Sequence, residues 1–280
     1  MTGVPALYRG LCDDAAIFPP GDMPLPEALG VHSYYRTSDF AGLVGRFVCS
    51  AERLEELRAT PWVVDPALEL SLTVPGGPGA LQGALAGLSG LPNVQLHAIE
   101  IALPSNAAPG AFFADLAACA LDPAVDVYIE VPRDDRRTPV FDGIAAAGLR
   151  AKFRTGGVQA ALYPSEQELG DAIRLACERD IVFKATAGVH HAVRNTDPAT
   201  GFEQHGFLNV MLAAVAPTAD VEALLALRDS LQIAHRVREL DPSVRSRFDS
   251  FGTCSIVEPL TDLIDLGLLP DSIHANGARA

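Results

Sequence analysis

Of the 21 lysines and arginines in this chain, two are lysine: Lys152 in "AKFRTGG" and Lys184 in "FKATAG". A lysine buried beside another cation has its ammonium form disfavoured, and the neutral amine can then attack a carbonyl or take a proton. A guanidinium stays protonated and cannot replace it in that role. Two amines kept in a sequence that otherwise uses arginine point to carbonyl chemistry, with Arg154 and each lysine supplying the other's neighbouring positive charge. The plainer reading is that each lysine pairs with a carboxylate such as Glu130 in a strand-end ion pair.

Other residue types surround these two. Glu130 and Tyr128, in "VDVYIEVP", are candidates for general acid and base. The stretch Arg154, Thr155, Gly156 and Gly157 combines a guanidinium, a hydroxyl and two glycines, a composition that exposes backbone N–H groups to a phosphate or carboxylate. Its plainer role is a turn. Thr186, Arg194 and Asn209 are further candidates for substrate contact. In "GVHHAVRNTD", one of His190 and His191 could serve as a general acid or base with a pKa near neutrality, the plainer reading being two loop histidines; adjacent residues on an extended loop point apart and would not share one metal. His205 is ambiguous between site and loop. Asp13 and Asp14, in "LCDDAAIFPPG", could meet a substrate or a metal. Glu100, Glu130, His97, the two loop histidines and the two aspartates form the available set for a divalent ion, yet none has a ligand-spacing signature. No cofactor is expected. Neither a P-loop, a GxGxxG after a strand, nor a GxSxG elbow occurs.

The elements that must position these residues alternate along the chain. Strand-like runs fall at 45–50, 69–75, 94–103, 125–132, 149–156, 180–188, 206–212 and 250–256, with Ala/Leu-rich helical stretches between them. Ser165 followed by Glu168 predicts a capping box, and Thr218 a second helix start. Eight strand–helix repeats in 280 residues give a single (β/α)8 barrel, with 1–44 as an irregular N-terminal extension and 271–280 as a flexible tail. The alternative is a doubly wound open parallel sheet. Strand alternation then sends Ala151, Phe153, Ile181, Phe183, Ala185, Val127, Ile129 and Val131 outward. It turns Lys152, Arg154, Lys184, Thr186, Tyr128, Glu130, Glu69, Ser71, Thr73, Phe207 and Asn209 into the lumen. Both lysines lie toward the C-terminal ends of neighbouring strands, where barrel enzymes keep their chemistry.

The stretch "FKATAG" resembles the K-T-S-T-G strand of deoxyribose-phosphate aldolases, class I aldolases on a (β/α)8 barrel. The match covers about seven residues. It implies that Lys184 forms a Schiff base with the substrate carbonyl. Thr186 and Gly188 match the polar and glycine positions, while Ala185 and Ala187 depart from them. In that family the second lysine lies on the following strand, whereas this chain has Lys152 on the preceding strand and Asn209 on the following one.

Composition narrows the partners. A formal charge of −14 with scattered aromatics argues against nucleic acid. No run reaches the length of a membrane span and no leader pattern opens the chain. Five cysteines without close spacing suit reduced thiols and a cytoplasmic location. The expected partner is a small anionic molecule, with self-association into a homo-oligomer left open. Three functions compete: a lyase or aldolase using a lumen lysine; a metal-dependent isomerase, epimerase or hydrolase; and a non-catalytic ligand-binding barrel.

Overall fold

The computed structural model describes residues 3–61, 67–91 and 93–273. Eight parallel strands close into a barrel: β1 (Cys12–Asp14), β2 (Val44–Ser50), β3 (Leu68–Val74), β4 (Val94–Ala102), β5 (Asp126–Glu130), β6 (Arg150–Arg154), β7 (Phe183–Thr186) and β10 (Phe248–Thr253). Residues 195–196 and 203–204 make a small antiparallel ribbon, β8 and β9. Around the barrel run α1 (Leu25–Thr37), α2 (Leu54–Ala59), α3 (Pro78–Leu88), α4 (Pro109–Ala117), α5 (Arg137–Ala147), α6 (Glu166–Glu178), α7 (Phe207–Ala213), α8 (Val221–Ala226), α9 (Ser230–Arg238) and α10 (Val257–Asp265). Because β1 pairs with both β10 and β2, the barrel sheet has no free edge, and the open-sheet alternative is overturned.

Two expectations about elements change. The segment 1–44 is no mere extension, since it carries the first barrel strand and α1. Its three residues, Cys-Asp-Asp, have poor strand propensity; pairing on both sides makes them a strand. The run "GFLNVML" at 206–212 forms helix α7 instead of a strand. A short continuous apolar run has no periodicity to separate the two states. All seven residues of α7 are buried, the pattern of a helix apolar all round, and Phe207 stacks on Phe251 of β10 at 4.6 Å between ring centroids. The two errors offset each other, so the expected number of strands matched the observed one. Of the predicted tail, Asp271–Ile273 forms a short 3-10 turn and 274–280 lie outside the described residues.

The outward faces follow the alternation. Ala151, Phe153, Phe183, Ala185, Val127 and Ile129 are buried beneath the helices, each large side chain contributing about 1.5–3 kcal/mol by leaving water. Phe153 and Phe183 stack at 4.8 Å across β6 and β7, which locks the register that brings Lys152 beside Lys184. Helix α6 begins with the predicted capping box, with Ser165 accepting from the Glu168 N–H and Glu168 accepting from the Ser165 N–H. Thr218 instead opens a 3-10 turn ahead of α8.

Candidate active site

The inward residues form a ladder of alternating charge through the lumen. Lys184 Nζ lies 2.5 Å from Asp13 Oδ2 on β1 and 2.7 Å from Glu100 Oε1 on β4. Glu100 Oε2 is 3.0 Å from Lys152 Nζ, which is 3.1 Å from Glu130 Oε2. Ser250 donates to Asp13 at 2.7 Å, and Ser71 to Glu100 at 2.8 Å. Burial alone would push Lys184 down, but the charges of Asp13 and Glu100 outweigh it and hold the ammonium above the ordinary lysine range. Lys152 is raised in the same way, against burial, by Glu100 and Glu130. Glu100 is driven well below the carboxylate range, because the two lysine charges overcome its own burial. The expectation that each lysine lowers the other's pKa is therefore corrected: a carboxylate stands between them.

Tyr128 occupies the next layer toward the strands' N-terminal ends. Its hydroxyl donates to Asp249 and receives from Arg46 at 3.3 Å and Arg150 at 3.2 Å. Burial and the Asp249 charge raise its pKa. The ring lies 5.3 Å from Lys184 Nζ, so Tyr128 closes the ladder from below and does not share a cavity wall with Glu130. That layer borders a second cavity of about 540 Å³ at the opposite end of the barrel, where His97 and Asp13 also lie.

Above the ladder, at the strands' C-terminal ends, is a cavity of about 390 Å³. Glu100, Lys152 and Glu130 line it, together with Arg154, Gly157, Thr186, His190 and Cys254. Phe18 and Pro19, from the "FPPGDMPLP" loop, supply an apolar wall. Lys184 does not line it and is 0 % exposed, whereas Lys152 does and is 8 % exposed. Among the described residues, no carboxylate lies within ion-pair distance of Arg154; its Nε donates to the Gly156 carbonyl at 3.2 Å.

The loop after β6 is shaped by close backbone approach. A side chain on Gly156 would run into the Gly188 Cα and the Tyr163 ring, each at 2.7 Å. Gly156 is therefore a packing glycine, and Gly157 is the one on the wall. Thr155 donates to the Thr186 and Ala187 carbonyls and is fully buried, so its hydroxyl ties β6 to β7 instead of facing a ligand. Ala187 sits at φ +62°, a left-handed conformation rare for a residue with a Cβ. Such strain is kept where surrounding structure enforces it, often beside a functional site.

Several sequence candidates lie away from this cavity. Asp14 points outward, with Oδ2 2.9 Å from His32 Nδ1 on α1. Asn209 is buried in α7, donating to the Leu224 and Leu227 carbonyls and accepting from the Arg194 N–H. The Arg194 guanidinium is spent on Glu166 at 2.7 Å and Glu203 at 3.2 Å, and His205 lies between Arg194 and the Pro164 carbonyl. His191 binds Asp262 at 3.1 Å, which raises its pKa. His190 alone of the two loop histidines reaches the cavity wall. Among the described residues, no three His, Cys, Asp or Glu side chains form a group that could hold a metal ion.

Sequence reasoning undervalued Glu100 and missed Cys254, Ser250 and Arg46. Glu100 had a signal, a single acid inside the apolar run "AIEIAL". A bulge between β3 and β4 near His97 shifts the alternation there, so counting from the start of the run misleads.

The fold and site define a (β/α)8 barrel whose lumen carries a charge ladder and whose C-terminal mouth opens on a lysine, a glutamate and an arginine that has no ion-pair partner among the described residues. The chain matches no known protein family and no curated protein. No helix among the described residues is long and apolar enough to cross a membrane.

Proposed function

We propose that this barrel is a lyase-type enzyme acting on a small anionic carbonyl compound, with Lys152 as the lysine that meets the substrate. The observation that carries this reading is the placement of Lys152 on the cavity wall between Glu100 and Glu130, two residues before the unpaired Arg154. Arg154 anchors the anionic end of the substrate, by a bidentate contact where that end is a carboxylate or phosphate. The carbonyl oxygen then accepts a hydrogen bond from Lys152, whose ammonium the two carboxylates keep charged. When the adjacent carbon–carbon or carbon–hydrogen bond breaks, negative charge collects on that oxygen, where a preorganised cation in a dry pocket is most effective. Glu130 takes or returns the proton. Lys184, Asp13 and Glu100 fix the position and charge of this pair from below.

This reading keeps the lysine-dependent lyase expected from the sequence, moves the leading amine from Lys184 to Lys152, and replaces the imine by an ammonium. Five free thiols suit a reducing compartment such as the cytoplasm. The test is a panel of pyruvate, oxaloacetate, dihydroxyacetone phosphate and glycolaldehyde phosphate incubated with the protein in heavy water. Proton NMR should show deuterium entering beside the carbonyl, or cleavage, for at least one compound, and Lys152→Met should abolish it. Borohydride should leave neither lysine modified. A reduced adduct on Lys152 or Lys184 would replace the ammonium by a Schiff base, and a panel with no reaction would sink the enzyme reading.

A further inference from the structure

The cavity wall built by β7 and β10 holds a second reactive pair that the lysine reading does not use. Cys254 follows β10 directly and faces the cavity, as does His190 from the loop after β7. The Cys254 sulfur lies 3.7 Å from His190 Nδ1. The same nitrogen is 3.1 Å from Glu258 Oε2, in the first turn of α10, and 3.5 Å from the Thr253 hydroxyl. The other thiols have different settings: Cys12 and Cys49 are buried in the core, while Cys119 and Cys177 donate to the Asp115 and Ala214 carbonyls.

We propose that Cys254 and His190 form a nucleophilic pair that captures the carbonyl carbon of a small aldehyde in this cavity as a hemithioacetal. One proton is shared by the pair and rests on the imidazole, whose charge Glu258 balances. The sulfur lone pair forms the S–C bond, the carbonyl π pair moves onto oxygen, and that oxygen takes the proton from His190. Reversal releases the aldehyde, so no other reactant is required. Cys254 also lies just before the N-terminal end of α10, where peptide dipoles favour negative charge. Burial works against the charged imidazole, yet the contacts to Cys254 and Glu258 push His190 up to about 10, in keeping with a proton held on the ring. The pair stands on its own geometry and does not depend on the role of Lys152.

The test is alkylation of the full chain by iodoacetamide at neutral pH, followed residue by residue by peptide mass spectrometry. Cys254 should react about tenfold faster than Cys119 and Cys177 in the same molecules. His190→Gln should slow Cys254 about tenfold while the other two rates stay constant, which also shows that the fold is kept. Should those rates rise, Glu258→Gln serves instead and should slow Cys254 by a smaller factor. Carbon-13-labelled glycolaldehyde should protect Cys254 in the native chain and give a hemithioacetal carbon signal by NMR that is missing in Cys254→Ser. Equal reactivity of all three thiols, or indifference of Cys254 to both substitutions, overturns the pair. Protection without that signal places the aldehyde elsewhere in the cavity and overturns capture by sulfur, whereas failure of the lyase panel leaves these rates unaffected.

Discussion

Replacing Lys184 by methionine keeps an unbranched chain up to the ε-carbon and removes the cation on which two buried carboxylates depend. In the native chain Asp13 and Glu100 are 1 % and 3 % exposed, and Lys184 lies within 2.7 Å of both. Without it, Asp13 keeps the Ser250 hydroxyl at 2.7 Å and the Arg46 N–H at 2.8 Å, and Glu100 keeps Ser71 and Lys152. Removing one partner of a buried ion pair costs about 3–5 kcal/mol, a large share of the roughly 5–15 kcal/mol that holds a typical protein folded. A loss of about 4 kcal/mol corresponds to a fall in Tm of about 7 °C for a chain of this size. The loss also depends on pH. In the native chain Glu100 is depressed, so its contribution is present above its unfolded value of about 4.3 and fades as pH falls through the folded value. In Lys184→Met Glu100 loses the larger of the two lysine charges that depress it and is protonated at higher pH, so the gap between the two proteins narrows on acidification. Urea denaturation of both chains at neutral pH and at about pH 4 measures this directly, the lower value lying near the unfolded glutamate pKa. A loss under about 1 kcal/mol, the range of an exposed pair, or a gap that stays constant with pH, would refute the ladder as the central electrostatic device of the barrel.

Three further outcomes test other parts of the structure. Asn209→Leu strands the Leu224 and Leu227 carbonyls and the Arg194 N–H, and should cost about 3 kcal/mol in urea denaturation with no change in ligand affinity; lost binding at native stability would return Asn209 to the site. Arg154→Met should leave stability within about 0.5 kcal/mol and weaken pyruvate binding about tenfold by calorimetry, a change of about 1.4 kcal/mol. His190 has a raised folded-state value of about 10, so its contribution is complete below its unfolded value near 6.5 and disappears as pH rises through about 10. His190→Gln should therefore flatten the alkaline limb of the stability profile, and an unchanged limb would show that the His190 contacts to Cys254 and Glu258 carry no stability.

Much of the architecture was legible because it rests on short-range periodicity. The alternation in "RAKFRTG" and "DIVFKATAG" put Lys152 and Lys184 on the inner face, and Phe153 and Phe183 on the outer one, without reference to any other residue. The capping box at Ser165 was equally local. By contrast, "CDD" at 12–14 contains nothing that announces a strand, and "GFLNVML" reads as well for a helix as for a strand. What β10 and β2 do to the first segment, and what β10 does to the second through Phe251, lies outside any window of sequence.

The same division separates the site's position from its chemistry. The sequence by itself determined that two amines would face a barrel lumen on adjacent strands, because the side-chain period of a strand is fixed by its backbone. It could not determine their protonation. That is set through space by the nearest charges, and the decisive carboxylates come from elsewhere: Asp13 is 171 positions from Lys184 and Glu100 is 84. Closure of the barrel inserts Glu100 between the two lysines and seals Lys184 against Asp13, leaving Lys152 on the cavity wall. A pair that the chain alone presents as two cations raising each other's acidity becomes, once folded, a ladder in which every charge has an opposite neighbour, because Coulomb energy follows distance in space and not separation along the chain.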